Sequence, residues 1–385
     1  MLACQKSRFS LPDDEHYLNC AYMSPLSVAV ESAGITGIAR KRVPSRLSQS
    51  DFFSESMRAR TLFARLVNAP DPTRIAIIPA ASYGLAIAAR NLPAAAGQNI
   101  VVTHEQFPAN VYPWRRLETR GVQVRTVPPP DGGEGRGREW NARLLDVIDE
   151  RTAIVALGHV HWTDGTKFDL EAIGRRARAV GAALVVDGTQ SVGALPFDVQ
   201  AIQPDALVCA TYKWLTGPYS MGFAYLGPRF DDGEPLEETW IGRAGSEHFK
   251  DLVNYRDEYQ PGAIRYDVGE RTNFALMPMT IAGLEQLLEW QPARIQEYLA
   301  ALTTPLFDRV RAAGYTVEDP AFRGAHLFGL RAAPGVDITV VNDRLRARKV
   351  HVSLRGSAIR VSPPRVFSCT NARCEKSSRL SQISR

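Results

Sequence analysis

Apolar residues in this chain fall into two spacings that take turns along it. Short unbroken runs at 74–78, 99–103, 152–157, 182–186 and 206–210 are rich in Val, Ile, Leu and Ala and show no alternation with polar residues. Runs of this length suit parallel strands covered on both faces. Between and around them, 24–42, 51–68, 169–180, 274–290 and 292–313 carry apolar residues at helical spacing. Asp51 and Asp169 are read as N-caps, and Ala69-Pro70 as the stop of the second helix. Alternating strands and helices predict an α/β fold, a mostly parallel sheet flanked by helices. Shorter strand-like runs near Tyr315, His326 and Val350 predict a smaller α/β domain at the C-terminal end.

Two of the buried runs end in chemistry. The first leads into Asp187, and the second into Thr211-Tyr212-Lys213. In open parallel sheets ligands bind beyond the carboxyl ends of the strands, where both residues would sit. Only seven of the 46 basic residues are lysine, at 6, 41, 167, 213, 250, 349 and 376, so arginine carries the surface charge. A lysine between Tyr212 and Trp214 after a buried strand suits a desolvated amine of lowered pKa, fit for Schiff-base chemistry. Taken singly, Lys213 also reads as a snorkelling strand-end lysine, and Asp187 as a capping or turn aspartate. Together they meet the needs of pyridoxal phosphate, which takes a lysine for its aldehyde and a carboxylate to keep its pyridine nitrogen protonated. The run at 74–78 opens into Pro79-Ala80-Ala81-Ser82-Tyr83-Gly84 and a helical stretch. Small residues at such a turn let backbone amides approach an anion, and the helix N-terminus adds its positive end. The glycines in PPPDGGEGRGR, at 128–138, follow three prolines rather than a strand and are not a dinucleotide fingerprint.

VVDGTQSVGALPFDV followed by ATYKWLTGPYSMGFAYLG resembles the class V aminotransferase family, fold-type I pyridoxal phosphate enzymes that include cysteine desulfurases, kynureninases and isopenicillin N epimerase-like proteins. The resemblance runs from about Tyr17 to about Pro363. It implies a substrate-side opening segment at 1–25 with Asn19 as a site candidate, a large cofactor domain at 26–270, and a small domain at 271–363. It assigns Ala81, Ser82 and the Tyr212 hydroxyl to the cofactor phosphate, Phe107 to the face of the pyridine ring, and Asp187 and Lys213 to the catalytic centre. His104, three positions before Phe107, is read as structural. Trp162 stands where relatives carry an asparagine for the cofactor's phenolic oxygen, which leaves Gln190 for that contact and Trp162 for the substrate pocket. His161 stays open between an acid or base role and a structural one. Trp240-Ile241-Gly242 is a further segment expected to turn toward the site. Thr272, in the segment 265–273, matches a hydroxyl offered across a homodimer interface to the partner's phosphate. Arg360 matches the arginine that forks onto the substrate α-carboxylate, with Arg355 as second choice.

The resemblance implies action on an amino acid by transamination, by kynureninase-like side-chain cleavage or by epimerisation; the Phe-Pro and Tyr-Lys matches lean toward the last two. A cysteine desulfurase is the first rival. Desulfurases carry a long loop with a nucleophilic cysteine before that arginine, and Ser353 to Arg360 leaves no room for one. A rival of another class is a non-catalytic protein that keeps the fold as a binding or assembly module. Beyond 363 the sequence is Ser- and Arg-rich without helical spacing, and 364–385 is expected to form an atypical, poorly packed tail.

Composition narrows the remaining classes. A net charge of +5 over 385 residues, with no basic run interleaved with aromatics, argues against nucleic acid. No apolar stretch reaches membrane length and no long apolar leader opens the chain, so a cytoplasmic protein is expected. Five scattered cysteines fit reduced thiols, and neither a disulfide framework nor a metal site is expected.

Overall fold

A computed structural model describes residues 2–131 and 135–364. In chain order the strands are β1 (His16–Tyr17), β2 (Ile75–Ile78), β3 (Asn99–Thr103), β4 (Gln123–Val127), β5 (Thr152–Gly158), β6 (Ala183–Asp187), β7 (Ala206–Ala210) and β8 (Gly222–Leu226). The C-terminal part adds β9 (Tyr315–Thr316), β10 (Phe328–Ala332), β11 (Val350–His351), β12 (Ser353–Arg355) and β13 (Ala358–Val361).

Strands β2 to β8 form one sheet in the order β2-β8-β7-β6-β5-β3-β4. All neighbours are parallel except β8, which runs antiparallel to both β2 and β7. Every residue of β2, β3, β5, β6 and β7 is buried, which is why their sequences are apolar without alternation. The edge strand β4 shows the opposite: only Val127 is buried in QVRTV, and this polar strand is absent from the sequence reading.

Successive residues of β6 feed two separate cores. Leu184 and Val186 pack on the face covered by the helices Ser54–Leu66, Leu170–Ala179 and Leu276–Trp290. Val185 packs on the other face with Leu85 and Ile87 of the helix Ala81–Asn91. Asp169 caps its helix as expected, accepting from the Ala172 amide at 2.9 Å. Asp51 does not cap the helix predicted over 51–68. It lies in a 3-10 turn (Gln49–Phe52), closes a capping box with Ser48 and pairs with Arg40, and the α-helix begins at Ser54 after an uncapped Phe53.

A second, four-stranded antiparallel sheet runs β12-β13-β10-β9, with its own apolar core around Phe307, Phe328, Leu330, Ile359 and Val361. The N-terminal segment joins this part of the molecule: β1 pairs in parallel with β11, and Asn19 bridges to Ser362. The helix Leu276–Trp290, by contrast, buries Met277, Leu284, Leu287 and Trp290 in the core of the large sheet. The tail expected at 364–385 lies, past Pro364, outside the described residues. No described helix is long and apolar enough to cross a membrane.

Candidate active site

The ends of β6 and β7 carry Asp187 and Lys213 to one cavity of about 390 Å³. Asp187 is buried and accepts from the Thr189 amide at 3.0 Å; burial nevertheless raises its pKa, so it holds a proton more readily than a surface aspartate. Gly188 follows because a Cβ there would meet Val192 Cγ2, Cys209 Sγ and Leu207 Cδ1 within 2.8 Å. Lys213 is 6% exposed. Burial draws its amine down to about 8, with Arg360 and Arg355 adding to the effect and Asp187 opposing it. Its Nζ lies 5.5 Å from the Phe107 ring centroid and 5.3 Å from that of Tyr212. Thr211 fixes the lysine turn, its hydroxyl donating to the carbonyl of Met221 at 3.0 Å.

The helix Ala81–Asn91 starts against the same cavity. Its N-cap, Ala80, is extended and gives no side-chain hydrogen bond, so the first-turn amides have no side-chain acceptor. Ala81 and Ser82 line the cavity. Gly84 sets the approach of this helix to the sheet, since a Cβ would come within 2.6 Å of Val208 Cγ1 on β7. An uncapped helix N-terminus opening on a cavity is an anion site in waiting.

Trp162 and Gln190 complete the expected lining. The Gln190 amide is largely engaged: Nε2 donates to the Ala21 carbonyl at 3.0 Å and Oε1 accepts from Trp214 Nε1 at 2.9 Å, leaving one N–H. The Trp162 indole donates to the Glu105 carbonyl at 2.6 Å and meets Phe107 edge-on at 5.4 Å. Its own carbonyl accepts from Arg360 Nη1 at 2.7 Å. Arg360 is 1% exposed, and burial lowers its pKa to about 9. Asn19 stands behind Arg360, its Oδ1 accepting from the Ser353 hydroxyl at 2.7 Å.

Other candidates stand outside the cavity lining, Arg360, Arg355 and Asn19 among them. Thr272 is buried outside the cavity lining, its hydroxyl donating to the Phe52 carbonyl at 2.6 Å. Trp240 joins an aromatic cluster with Phe52, Phe53 and Phe249 instead of turning to the site. His161 is buried against Trp140; its Nε2 meets the His104 carbonyl at 3.0 Å, so that nitrogen carries the proton, and Nδ1 is 2.7 Å from the Thr163 hydroxyl. His161 does not line the cavity, and His104 is exposed. Several lining residues escaped the sequence reading, among them Thr189, Tyr219 and Ser220. The positive φ of Ser220, 65°, marks the tight turn that returns the chain past Lys213 into β8.

The aminotransferase class-V family model matches residues 44–359. An uncharacterised protein of Schizosaccharomyces pombe is 27% identical over 354 residues, 90% of this chain and 79% of its own length. A probable cysteine desulfurase of Methanothermobacter thermautotrophicus is 35% identical over 167 residues, which is 43% of this chain and 40% of that protein. The fold matches the cysteine desulfurase CsdA of Escherichia coli with a TM-score of 0.77 at 20% identity, over 98% of this chain and 95% of that one. It also matches the cystine C-S lyase C-DES, in complex with its reaction product cysteine persulfide, with a TM-score of 0.80 at 17% identity, over 96% and 97% of the two chains. With the family model covering most of the sequence, this chain belongs to the aminotransferase class-V family.

Proposed function

We propose that this chain is a pyridoxal phosphate-dependent enzyme acting on an amino acid. One observation carries the reading: a buried amine drawn down to about 8, Lys213, shares a cavity with the buried carboxylate Asp187 and an uncapped helix N-terminus. These donors fit the cofactor's aldehyde, pyridine nitrogen and phosphate. When bound, pyridoxal phosphate supplies an electron sink for the bond broken at the substrate α-carbon.

The chain's own residues do the rest. The amides opening the helix Ala81–Asn91, with the hydroxyls of Ser82 and Tyr212, receive the phosphate. Asp187, as a carboxylate, would stabilise the protonated ring nitrogen, and that cation would in turn offset the cost of burying its charge. Phe107 would pack against the ring, and the remaining N–H of Gln190 would serve as donor to the phenolic oxygen. Arg360 takes the substrate carboxylate and fixes which α-carbon bond stands perpendicular to the ring. Lys213 then moves the α-proton; an amine near neutrality is suited to both taking and returning it. Transamination, lyase and epimerase outcomes all start from this arrangement.

The desulfurase reading rests on the relatives' names, and the described cysteines give it no support. Cys20 and Cys209 are buried, and burial raises the Cys209 thiol well above its ordinary value, the reverse of an activated nucleophile. Cys4 is exposed, and only Gly356 and Ser357 separate β12 from β13.

We further infer a cytoplasmic homodimer with shared sites. Ile35 and Ile38 are 62% and 66% exposed on the helix Val28–Arg40, an apolar face for a second copy. Thr272 would give up its bond to Phe52 to meet the partner's phosphate. Unchanged cofactor affinity in Thr272→Ala, in a protein that runs as a monomer, would end that reading.

For the function itself, borohydride reduction of the cofactor-loaded protein followed by peptide mapping is expected to label Lys213, and products are expected on incubation with amino acids. Label on another lysine would overturn the assignment. Cofactor colour without product from any amino acid would favour a binding module.

A further inference from the structure

The hairpin β12–β13 pairs Ser353 with Arg360 and Arg355 with Ala358. Side chains alternate along a strand, and directly opposed residues share a face. Ser353, Arg355 and Arg360 therefore project from one face of the hairpin. Leu354 and Ile359 project from the other, into the apolar core of the C-terminal sheet.

Both arginines reach Trp162, and Trp162 lines the cavity. Arg360 donates to its carbonyl, while the Arg355 guanidinium lies 5.5 Å from the centroid of its ring. Among the described residues neither arginine has an ion-pair partner, and the Nε of each is buried without an acceptor. Arg355 spends one Nη1 bond on the Leu354 carbonyl. Glu105 is the carboxylate beside the turn, 3.8 Å from where a Gly356 Cβ would stand, and it does not pair with Arg355. Neither arginine lines the cavity itself, but both border it through Trp162, and the charge of both bears on Lys213 within it, an excess of positive charge beside the cavity. A substrate α-carboxylate is satisfied by one fork, that of Arg360. Among the described residues the second guanidinium has only the Leu354 carbonyl as acceptor.

We propose that Arg355 is a specificity-determining residue that binds a second anionic group, so that the substrate is an amino acid with an acidic side chain. This rests on the reading of the site as one for amino acids. The Trp162 ring holds the Arg355 guanidinium by a cation–π contact, and Arg360 fixes the other end of the ligand, so the two sites read a molecule with two separated anions.

The test pairs aspartate and glutamate with their neutral isosteres asparagine and glutamine. The acidic members are expected to be used at least about 10-fold better in kcat/KM, and Arg355→Gln to lower that acid-to-amide ratio by about 10-fold or more, the scale of one charge-assisted hydrogen bond. Arg355→Lys should retain part of the preference. Calorimetry on the cofactor-free protein provides a readout independent of turnover: glutarate is expected to bind more tightly than butyrate, and Arg355→Gln to remove the difference. An unchanged ratio in Arg355→Gln, or equal use of acids and amides by the parent protein, overturns the proposal. Arg355-dependent glutarate binding in a protein that turns over no amino acid would instead overturn the amino-acid reading and leave the second anion site standing.

Discussion

Two groups of arginine in this molecule are partnered in opposite ways. Arg60 and Arg271 both donate to Asp267, Arg271 through Nη1 at 2.8 Å, and the Asp267 side chain is wholly enclosed. The same carboxylate accepts from the Ile77 amide at 2.8 Å, and Arg60 also donates to the Ile75 carbonyl. One acid thus ties the helix Ser54–Leu66 and β2 to the segment around 267–271. Arg360 and the half-buried Arg355 border Trp162 of the cavity lining, with carbonyls, a hydroxyl and the tryptophan ring around them; Glu105 stands nearby, and neither arginine has an ion-pair partner among the described residues. Desolvating a cation is costly, and a chain recovers the cost only by supplying a counter-ion. At Asp267 the counter-ion is in the chain and the arginines serve the fold; buried Arg323 meets the Glu318 carbonyl and the Phe307 ring without an ion pair among the described residues, so it is the place of Arg360 and Arg355 beside Trp162 of the cavity that marks them for a ligand.

The largest effect is expected where the pairing is complete. Asp267→Ala leaves two buried guanidinium groups without their acid and should cost about 3–5 kcal/mol, read as a lowered denaturation midpoint. A loss below about 1 kcal/mol would show that water already reaches the triad and that the contrast with the cavity arginines is false. Next in size is Arg360→Ala, expected to lower kcat/KM by about 10²-fold or more while the denaturation midpoint changes little. Equal losses of stability in the two variants would place Arg360 with the structural arginines.

The sequence made one side of this comparison legible and hid the other. Lys213 and Asp187 could be read because each ends an apolar run, and strand ends have a fixed relation to the ligand edge of a parallel sheet. Arg360 was found only through family resemblance, since nothing local says which of so many arginines lacks a partner. The Asp267 triad was invisible because Arg60 lies 207 positions from Asp267. The same holds for Asp164, which is buried and gathers Arg136 and, from β10, Arg331. Thr272 and Gln190 were readable as candidates, but their hydrogen bonds to Phe52 and to Ala21 and Trp214 depend on how distant loops close. β4 was missed for an edge strand's usual reason: it need not be apolar on either face.

Lys213 adds a pH test to the comparison, because it too is a cation that the fold does not fully pay for. Its folded pKa, about 8, lies below its ordinary value of 10.5. Between those values the unfolded chain binds the proton and the folded one does not, so stability rises with pH across the window. The cofactor-free protein should gain on the order of 2 kcal/mol from pH 8 to pH 10.5 relative to Lys213→Met. Parallel stability curves for the two proteins would show that Lys213 is not desolvated.

The smallest effect is also the sharpest, because it turns on sign. In Arg271→Gln the charge on Asp267 loses one of its two partners, and stability should fall by about 1–3 kcal/mol. The same substitution at Arg355 removes a cation whose neighbour is Arg360 and whose charge contributes to lowering the Arg360 pKa. No ion pair is lost, and like-charge repulsion on one hairpin face is relieved. Arg355→Gln should therefore raise the thermal midpoint slightly, by on the order of 0.5 kcal/mol in stability, since the group is partly exposed and screened. Salt should shrink the gain, because screening already weakens the repulsion in the parent protein. A binding residue held at the expense of stability behaves in this way, whereas one that serves the fold loses stability under the same change. Matched thermal scans of Arg271→Gln and Arg355→Gln at low and high salt decide it: shifts of the same sign would mean that the two arginine groups do the same job.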